Sequence, residues 1–475
     1  MTATQRPLRL YLINPCNALV SIVNAKVRRW NKFRVWKPLG LMVLAGMTPT
    51  EWEVSILDEN LGTIDFAGMP KPDLVGLTAF TSQANRAYEV AGIFRAQGVP
   101  VVMGGIHATV SPDEAMKYVD AIVTGEGEGV WREVLEDAKR GALQTRYAGG
   151  QADMTTMPDA RQDLLPKGGY FFGSIQTTRG CPLNCSFCSV TAVNGVAYRQ
   201  RPVADVVREF QTIKEKLVLI VDDNLIGTRT EHIARAKELF RAMAAAKIDK
   251  HWICQVTINI ADDDELMDLA VKAGCKGVFI GFESSAAEGL TEVGKTFNLL
   301  KGRDLRASVK RIQDHKLIVV GSFIIGLEVD ELGVGERIAA MARHYNVDLI
   351  NVLFLTPLPG TRLWDAMVSA GQLGSDSFPA DWKYYTLTLP VAKYKNFTLE
   401  QIAHEVLSCN KRFYSLVRIV RRMVGNFWYR RSPFIALFAN LSFRGAIPSE
   451  RKDYAAYIKT RERALPPAPI SDVGA

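Results

Sequence analysis

The sequence predicts an α/β protein with a doubly wound, parallel-sheet N-terminal domain, a partial (β/α)6 barrel and a C-terminal α-helical extension. Short apolar strands alternate with helical segments from Leu8 onward, which is typical of parallel sheets covered by helices. The alternation restarts after a polar, turn-rich segment, and near the end only helical periodicity remains. We therefore expect a first domain at 1–150, a linker at 151–166, a second domain at 167–395 and an extension at 396–475.

Length and composition are those of a folded protein with more than one domain. The chain has 475 residues, of which 48% are hydrophobic and 23% charged. Seven cysteines, an odd number, argue against a disulfide framework. The first residues lack the features of a signal peptide and no apolar run is long enough to span a membrane, so we expect a cytoplasmic protein. The net charge of +8 comes without a recognisable nucleic-acid-binding motif, and we expect no nucleic-acid partner.

In the first region, short segments rich in Val, Ile and Leu alternate with longer segments of helical spacing. Strands are predicted at Leu8–Asn14, Trp52–Leu57, Leu74–Thr78, Val101–Met103 and Ala121–Val123. Helices are predicted at Pro38–Gly46, Gln83–Gln97 and Pro112–Val119. Glycines follow the last two strands, at Gly104-Gly105 and at Gly125 and Gly127. At the carboxyl ends of parallel strands such glycines let the backbone approach a ligand, although ordinary tight turns explain them equally well.

The second region repeats the alternation six times. Strands are predicted at Phe171–Gln176, Leu217–Val221, Trp252–Ile258, Val278–Phe282, Ile318–Ile325 and Leu349–Phe354. Helices are predicted at Pro202–Lys214, Thr230–Ala245, Asp263–Ala273, Leu305–His315 and Ile338–Tyr345. Acidic residues follow several strands, as at Asp222-Asp223 and Glu283. A barrel places its chemistry at the carboxyl ends of its strands, so these acids are candidate ligand contacts.

The main chemical motif is a group of three cysteines, Cys181, Cys185 and Cys188, in the spacing C-x3-C-x2-C. Thiolates bind iron–sulfur clusters or zinc. A closed structural site uses four ligands, and no fourth Cys or His follows at short spacing. Three thiolates on a [4Fe–4S] cluster leave one iron open for a substrate or cofactor. The alternatives are a zinc site that lacks a ligand and a chance cluster of buried cysteines.

The segment Gly180-Cys181-Pro182-Leu183-Asn184-Cys185-Ser186-Phe187-Cys188 resembles the radical SAM superfamily, in which S-adenosylmethionine (SAM) chelates the open iron. The resemblance implies that Phe187 packs near the adenine and that the barrel strand ends hold SAM. The candidate SAM contacts are Asp222, Asp223, Glu283 and Ser322. Asp222-Asp223-Asn224 departs from the family's Gly-Gly-Glu, which puts the contact to the SAM ammonium in doubt. Two roles stay open for Arg179: orienting the SAM carboxylate or pairing with a structural acid.

The first region resembles the Rossmann-like cobalamin-binding domain that precedes many radical SAM barrels. The matching segments are Pro38-Leu39-Gly40-Leu41, Asp73-Leu74-Val75-Gly76-Leu77, Gly104-Gly105-Ile106-His107-Ala108-Thr109 and Gly125-Glu126-Gly127-Glu128. The resemblance implies that the corrin lies on the strand-end loops, with contacts from Thr81, Ser82, Gly104, Gly105, His107, Gly125, Glu126 and Glu128. The D-x-H-x-x-G motif that supplies a cobalt-ligating His in other cobalamin domains is absent. Two alternatives follow: cobalamin is bound without a His ligand from the protein, or the domain has lost cobalamin. For His107 the sequence favours ordinary hydrogen bonds over cobalt ligation.

The order of the regions resembles class B radical SAM enzymes. That resemblance implies reductive cleavage of SAM, hydrogen abstraction from an unactivated carbon, and delivery of a methyl group from methylcobalamin. It also implies a small-molecule substrate, with a hydrophobic or lipid-like one as an option, and an external electron donor such as flavodoxin or ferredoxin. A cobalamin-dependent radical cyclase or rearrangement enzyme and a non-catalytic iron–sulfur protein stay open as alternatives. An RNA-modifying role is disfavoured because no appended RNA-binding domain is recognisable.

The C-terminal extension combines apolar and basic residues. Apolar residues recur at helical spacing from Ile402 to Phe427. The same stretch and its continuation are basic, at Lys411, Arg412, Arg418, Arg421, Arg422, Arg430 and Arg431. One interpretation is a basic amphipathic helix on a membrane surface. The other, slightly favoured, is a helix packed on the barrel with a solvated basic face. The end, with Pro466, Pro467 and Pro469, is expected to be disordered.

Overall fold

A computed structural model describes residues 6–17, 19, 36–166, 168–428 and 432–464, without the side chains of Lys301 and residues 462–464. Two six-stranded parallel sheets and a set of C-terminal helices account for most of these residues. None of the described helices combines the length and the apolar character needed to span a bilayer.

The first sheet is fully parallel, with the strand order β2-β1-β3-β4-β5-β6. Its strands are β1 Leu8–Asn14, β2 Trp52–Asp58, β3 Leu74–Thr78, β4 Val101–Gly104, β5 Ala121–Gly125 and β6 Arg146–Gly150. The helices between them are α1 Leu39–Met47, α2 Ala84–Ala96, α3 Gly105–Val110, α4 Pro112–Ala115 and α5 Trp131–Arg140. Helices α1 and α5 contribute to the hydrophobic core on one face of the sheet, whereas α2 covers the other face. This is the predicted doubly wound architecture.

One prediction for this region was wrong and another was met only in part. The segment after Gly105 was expected to be a loop, but it is helix α3; the helix predicted at Pro112–Val119 ends at Ala115. The edge strand β6 and helix α5 were not predicted. Strand β6 reads Arg-Tyr-Ala-Gly-Gly, which lacks the apolar run by which buried strands are recognised.

The second sheet has the order β7-β10-β11-β12-β13-β14, so each strand pairs in parallel with its predecessor in the barrel. Its strands are β7 Gly173–Ile175, β10 Leu217–Ile220, β11 His251–Gln255, β12 Cys275–Glu283, β13 Ile318–Ile325 and β14 Leu349–Phe354. A short antiparallel hairpin, β8 Thr178–Arg179 and β9 Arg199–Gln200, brackets the cysteine motif. The predicted bounds of β13 and β14 are confirmed, and the other predicted strands are shifted by a few residues.

Helices connect the barrel strands. They are α6 Ser189–Asn194, α7 Val203–Thr212, α8 Thr230–Ala245, α9 Asp264–Lys272, α10 Ala287–Glu292, α11 Leu305–Asp314, α12 Val334–His344 and α13 Arg362–Ser369. One hydrophobic core runs from the α2 face of the first sheet into the barrel, because Phe94 and Trp252 belong to the same buried cluster. The carboxyl ends of both sheets thus lie within one packed body.

The C-terminal extension forms three helices, α14 Leu399–Phe413, α15 Leu416–Trp428 and α16 Pro433–Ala464. The inner side of α14 is buried as the spacing predicts. On α15 the solvated side is apolar, with Val417 and Val424 each 63% exposed, whereas Arg422 points inward and donates to Asn440. Because α15 is packed through its buried side and Arg421 is exposed on it, the favoured interpretation of a packed helix with a solvated basic face is met only in part. Tyr429, Arg430, Arg431 and the proline-rich end lie outside the described residues.

Candidate active site

The three motif cysteines lie in one loop between β8 and α6, which we call the cluster loop (residues 180–188). All three are free thiols; Cys185 is buried and the other two are half-buried. The loop begins at Gly180, whose φ of +91° and position leave no room for a side chain, because a Cβ there would lie 2.1 Å from the carbonyl oxygen of Ala197. The first thiol is therefore placed by a turn that requires glycine.

Distant segments hold the cluster loop from outside. The Ser186 amide donates to the carbonyl of Val293 at 3.1 Å, and the Ser186 carbonyl accepts from the Leu363 amide at 3.0 Å. These partners lie more than one hundred residues away in the chain. The loop is thus shaped by the finished barrel as well as by its own sequence.

Two acids at the end of β10 fix the start of the loop. Asp222 is fully buried and accepts hydrogen bonds from the Thr177 amide at 2.6 Å and from the Thr177 and Thr178 hydroxyls at 2.5 and 2.9 Å. Burial raises the pKa of Asp222 to about 6. Asp223 accepts from the Gly180 amide at 2.8 Å. The predicted SAM contact of Asp222 needs correction, because its carboxylate is committed to the loop; only Asp223, bound through one oxygen, is left for such a contact.

Glu283 faces a lysine that sequence reasoning missed, whose side chain is 12% exposed. Glu283 ends β12 with a φ of +62°, and its Oε1 lies 3.2 Å from the Nζ of Lys295. Burial favours the neutral lysine, but attraction to Glu283 and to the sulfurs of Cys185 and Cys181 prevails and raises the pKa of Lys295 to about 12. Lys295 is thus a fixed positive charge beside the cluster loop. No sequence motif marks it; its role is visible only once β12 and the loop are brought together.

Charge and burial oppose each other at the thiols. Burial raises the pKa of Cys181, Cys185 and Cys188, that of Cys188 to about 12, while the positive charge of Lys295 acts to lower it. A thiolate is the form that binds metal. Lys295 therefore supports the ionised form in a site that is otherwise poorly solvated.

Two other predicted SAM contacts lie nearby. Ser322 is buried in β13 and stands opposite Gly281 in the β12–β13 register, two residues before Glu283. Phe187 is half-buried and packs against the hydrophobic core. The structure thus brings Phe187, Asp223, Glu283 and Ser322 to the same end of the barrel as the three cysteines.

The predicted corrin contacts lie at the carboxyl ends of β3, β4 and β5. Thr81 and Ser82 are in the turn after β3, Gly104 and Gly105 join β4 to α3, and Gly125 ends β5. Gly105 has a φ of +86°, and a Cβ there would lie 2.5 Å from the Thr78 hydroxyl oxygen. The backbone can therefore turn tightly at this edge, as a ligand-binding loop of a parallel sheet requires.

The side chain of His107 is closed off from solvent, which argues against its prediction as a corrin contact. Its side chain is fully buried, and Nε2 lies 2.7 Å from the Tyr88 hydroxyl. The ring also packs edge-on against Trp382, from the segment after the barrel. Nε2 makes the ordinary hydrogen bond that the sequence favoured over cobalt ligation, whereas Nδ1 has no hydrogen-bond partner among the described residues. His107 contributes to packing between the first domain and the segment after the barrel.

Glu126 and Glu128 also need correction, because they bind arginines instead of facing an open pocket. Arg179 donates from Nη1 to Glu126 at 2.6 Å and from Nη2 to Glu128 at 2.9 Å, and Arg199 donates to Glu126 at 2.9 Å. We call these four residues the interdomain clamp. All four side chains are at most 17% exposed. Of the two roles left open for Arg179, the structure supports pairing with structural acids.

Two family models match the two sheets. A B12 binding domain matches residues 33–135 and the Radical SAM superfamily matches residues 175–332. An uncharacterised methyltransferase of Pyrococcus horikoshii is 31% identical over 77% of this chain and 85% of its own length. The bacteriochlorophyllide d C-12(1)-methyltransferase of Chlorobaculum tepidum is 30% identical over 82% of this chain and 85% of its own length. The chain belongs to the cobalamin-dependent radical SAM methyltransferases.

A solved structure supports the fold of this radical SAM enzyme. The radical SAM methyltransferase TsrM of Kitasatospora setae, determined with cobalamin and a [4Fe–4S] cluster bound, superposes with a TM-score of 0.64. The match covers 85% of this chain and 88% of that one at 18% identity. The arrangement of a cobalamin-type domain and a barrel is therefore shared.

The residues of this methyltransferase fit the cofactors of its family, a [4Fe–4S] cluster, SAM and cobalamin. Three free thiols in one loop beside Lys295 form a soft donor set that suits a cluster. Across the described ranges, no three His, Cys, Asp or Glu side chains surround a point where a single metal ion could sit. A cluster differs from such a site because its thiolates bind separate irons.

Proposed function

We propose that this enzyme methylates an unactivated carbon of a small hydrophobic molecule. The observation that carries the proposal is the interdomain clamp, which ties the end of β5 in the cobalamin domain to Arg179, two residues before the first motif cysteine. The clamp supports a geometry in which one substrate can reach both the radical-generating and the methyl-donating cofactors. When bound, these cofactors supply reductive cleavage of SAM and a transferable methyl group.

In this proposal Cys181, Cys185 and Cys188 hold the cluster. Lys295 offers its ammonium to the thiolates and to the SAM carboxylate, and Glu283 holds Lys295 in place from 3.2 Å. Asp222 holds the start of the cluster loop in place through Thr177 and Thr178 and does not contact SAM.

The remaining contacts divide between the two cofactors. Asp223 faces the SAM ammonium with its second oxygen, Ser322 lines the same pocket, and Phe187 packs along the adenine. The strand-end backbone at Thr81, Ser82, Gly104, Gly105 and Gly125 receives the corrin. The buried arginines and acids of the clamp keep this side of the cofactor space closed to water, which protects a reactive radical.

A hydrophobic substrate is supported by two observations. The Chlorobaculum tepidum relative is named for methylation of a bacteriochlorophyllide, a largely apolar macrocycle. The described C-terminal helices carry exposed apolar side chains within the same chain, including Trp428 at 82% exposure. Both favour a substrate that partitions out of water.

The test uses the holoenzyme, reconstituted anaerobically with iron, sulfide and cobalamin. It is incubated with reductant, SAM labelled with deuterium in its methyl group, and a lipid extract of the source organism. We expect bound corrinoid, formation of both 5′-deoxyadenosine and S-adenosylhomocysteine, and the labelled methyl group in an organic-soluble product by mass spectrometry. Label confined to water-soluble products would contradict the hydrophobic substrate. Deoxyadenosine without any methylated product would favour a rearrangement or cyclase reaction.

A further inference from the structure

Helix α15 has two apolar sides, and within the described part of the chain only one of them is covered. Ile419 and Met423 are buried against the rest of the protein. On the opposite side, large apolar side chains recur at helical spacing with at least 48% exposure: Leu416, Val417, Val420, Val424, Phe427 and Trp428. A helix that packs on a barrel by one face normally presents polar residues on the other. The outward residues of α15 therefore lack the pattern of a water-exposed face.

The apolar surface continues onto α16. Phe434 is 75% exposed, and its ring lies edge-on 5.7 Å from that of Phe427. An apolar groove of about 550 Å³ opens between the two helices and is lined by Ile419, Val420, Met423, Val424, Phe427, Trp428 and Leu437. We call the six outward side chains of α15 together with Phe434 the C-terminal apolar face. A contiguous exposed apolar patch of this kind marks an interaction surface.

Basic residues predominate in the chain segment that carries this face. Residues 406–449 contain eight lysines and arginines and no aspartate or glutamate, so this segment alone matches the net charge of +8 of the whole chain. Lys411, Arg412 and Arg421 are exposed. Burial lowers the pKa of Arg418, and repulsion from its arginine neighbours adds to the effect, which shows how closely the cations are grouped. Arg418 and Arg421, which lie on α15 itself, thus form a basic rim beside the apolar face, whereas Arg412 pairs with Glu336.

We propose that the C-terminal apolar face docks on an anionic lipid bilayer, with its aliphatic and aromatic side chains among the acyl chains and its basic rim on the lipid phosphates. Apolar side chains bordered by Lys and Arg are what an interfacial helix presents to such a surface. A second copy of the chain fits less well, because it would bring two cationic rims together. Nucleic acid matches the charge but leaves the apolar side chains in water.

This docking goes beyond the proposed methyl transfer and can be measured without turnover. If the substrate is hydrophobic, docking places the enzyme at the surface where that substrate dissolves. The two conclusions can fail separately, since vesicle binding requires neither SAM nor reductant.

The experiment is flotation of the full-length holoenzyme with vesicles of phosphatidylcholine alone, or of an equal mixture of phosphatidylcholine and phosphatidylglycerol. We expect co-flotation with the anionic vesicles at low salt and weaker binding at high salt. Val424→Asp places a charge at the centre of the face and is expected to abolish flotation. Arg421→Glu is expected to weaken binding roughly 10- to 30-fold. Val368→Asp is the matched control, because Val368 is exposed on α13, outside this face, and its variant should float like the wild type.

Three outcomes would overturn the proposal. The first is that the wild type floats with neither vesicle. The second is that Val424→Asp floats as well as Val368→Asp, with equal melting temperatures for the two. The third is that the wild type is a dimer by light scattering, does not float, and becomes monomeric on Val424→Asp, which would assign the face to a second copy.

Discussion

Arg179 donates to Glu126 at 2.6 Å and thereby joins the entry of the cluster loop to the carboxyl edge of the first sheet. Both side chains are nearly excluded from water, at 10% and 4% exposure. Removing one member of a buried ion pair is costly in folding free energy, because the remaining charge is left without a partner in a poorly solvated environment. The placement of the cluster loop relative to the carboxyl edge of the first sheet thus depends on this pair.

Glu126→Gln should therefore lower the free energy of unfolding by about 3–5 kcal/mol. We also expect it to uncouple the two halves of the reaction, so that SAM is still cleaved while methyl transfer falls. The measurement is the melting temperature together with the ratio of methylated product to 5′-deoxyadenosine. Glu51→Gln is the control, since its partner Lys139 and Glu51 are both nearly half exposed, and it should cost less than about 1 kcal/mol. An unchanged product ratio in Glu126→Gln would show that the clamp serves stability alone.

Alanine at Cys181, Cys185 or Cys188 should abolish cluster absorbance and SAM cleavage, because each substitution removes one of three thiolates. Cys409→Ala is the matched control: this thiol is fully buried in α14, remote in sequence from the cluster loop. It should keep the cluster and lose only the stability expected of a small cavity, about 1 kcal/mol. A Cys185→Ala protein that retains a [4Fe–4S] spectrum and cleaves SAM would contradict the central assignment.

Lys295→Met should reduce SAM cleavage by roughly 10- to 100-fold, the range typical of residues that support metal ligands. The substitution keeps an apolar stem of similar length but leaves Glu283 and the thiolates without a cation. We expect weaker SAM binding by equilibrium titration. We also expect the cluster to be harder to reduce. The double variant Lys295→Met/Glu283→Gln is informative, since removing both charges should restore folding stability but not SAM binding. If the single variant binds SAM normally, Lys295 acts only in packing.

Asp330 supplies a pH-dependent contribution to stability. Burial raises its pKa to about 6, and the amides of Gly326 and Leu327 donate to its carboxylate at 2.9 and 3.0 Å. The folded state therefore holds this proton more tightly than the unfolded state, so the contribution is present at low pH and is lost as the pH rises through 6. Relative to Asp330→Asn, the wild type should lose about 1 kcal/mol of stability between pH 5 and pH 7. Melting curves of both proteins, measured at several pH values across that range, test this prediction. An equal pH dependence of stability in the two proteins would contradict it.

Much of the fold follows from local pattern. The bounds of β1, β3, β13 and β14 match the predictions because each strand is an apolar run closed by a turn or a polar residue. The cluster loop was identified for a similar reason, since its chemistry lies within eight residues.

The rest of the site depends on contacts between distant residues. Glu126 meets Arg179 across 53 positions, and nothing around either residue indicates the other. Lys295 acquires its role only where β12 returns beside the loop. For α15 the spacing predicts a helix, but apolar residues on both of its sides give no signal of which one is covered.

The hydrogen bond from the Leu363 amide to the Ser186 carbonyl cannot form until late in the synthesis of the protein. The ribosome adds some 175 further residues after the last motif cysteine before Leu363 is made, which takes roughly 10–35 s at ordinary elongation rates. Throughout that interval the three thiols sit on a nascent chain whose closing contact does not yet exist. The three motif cysteines thus lack the protection of this contact while the chain is being made, and synthesis in air would leave them open to oxidants during that interval.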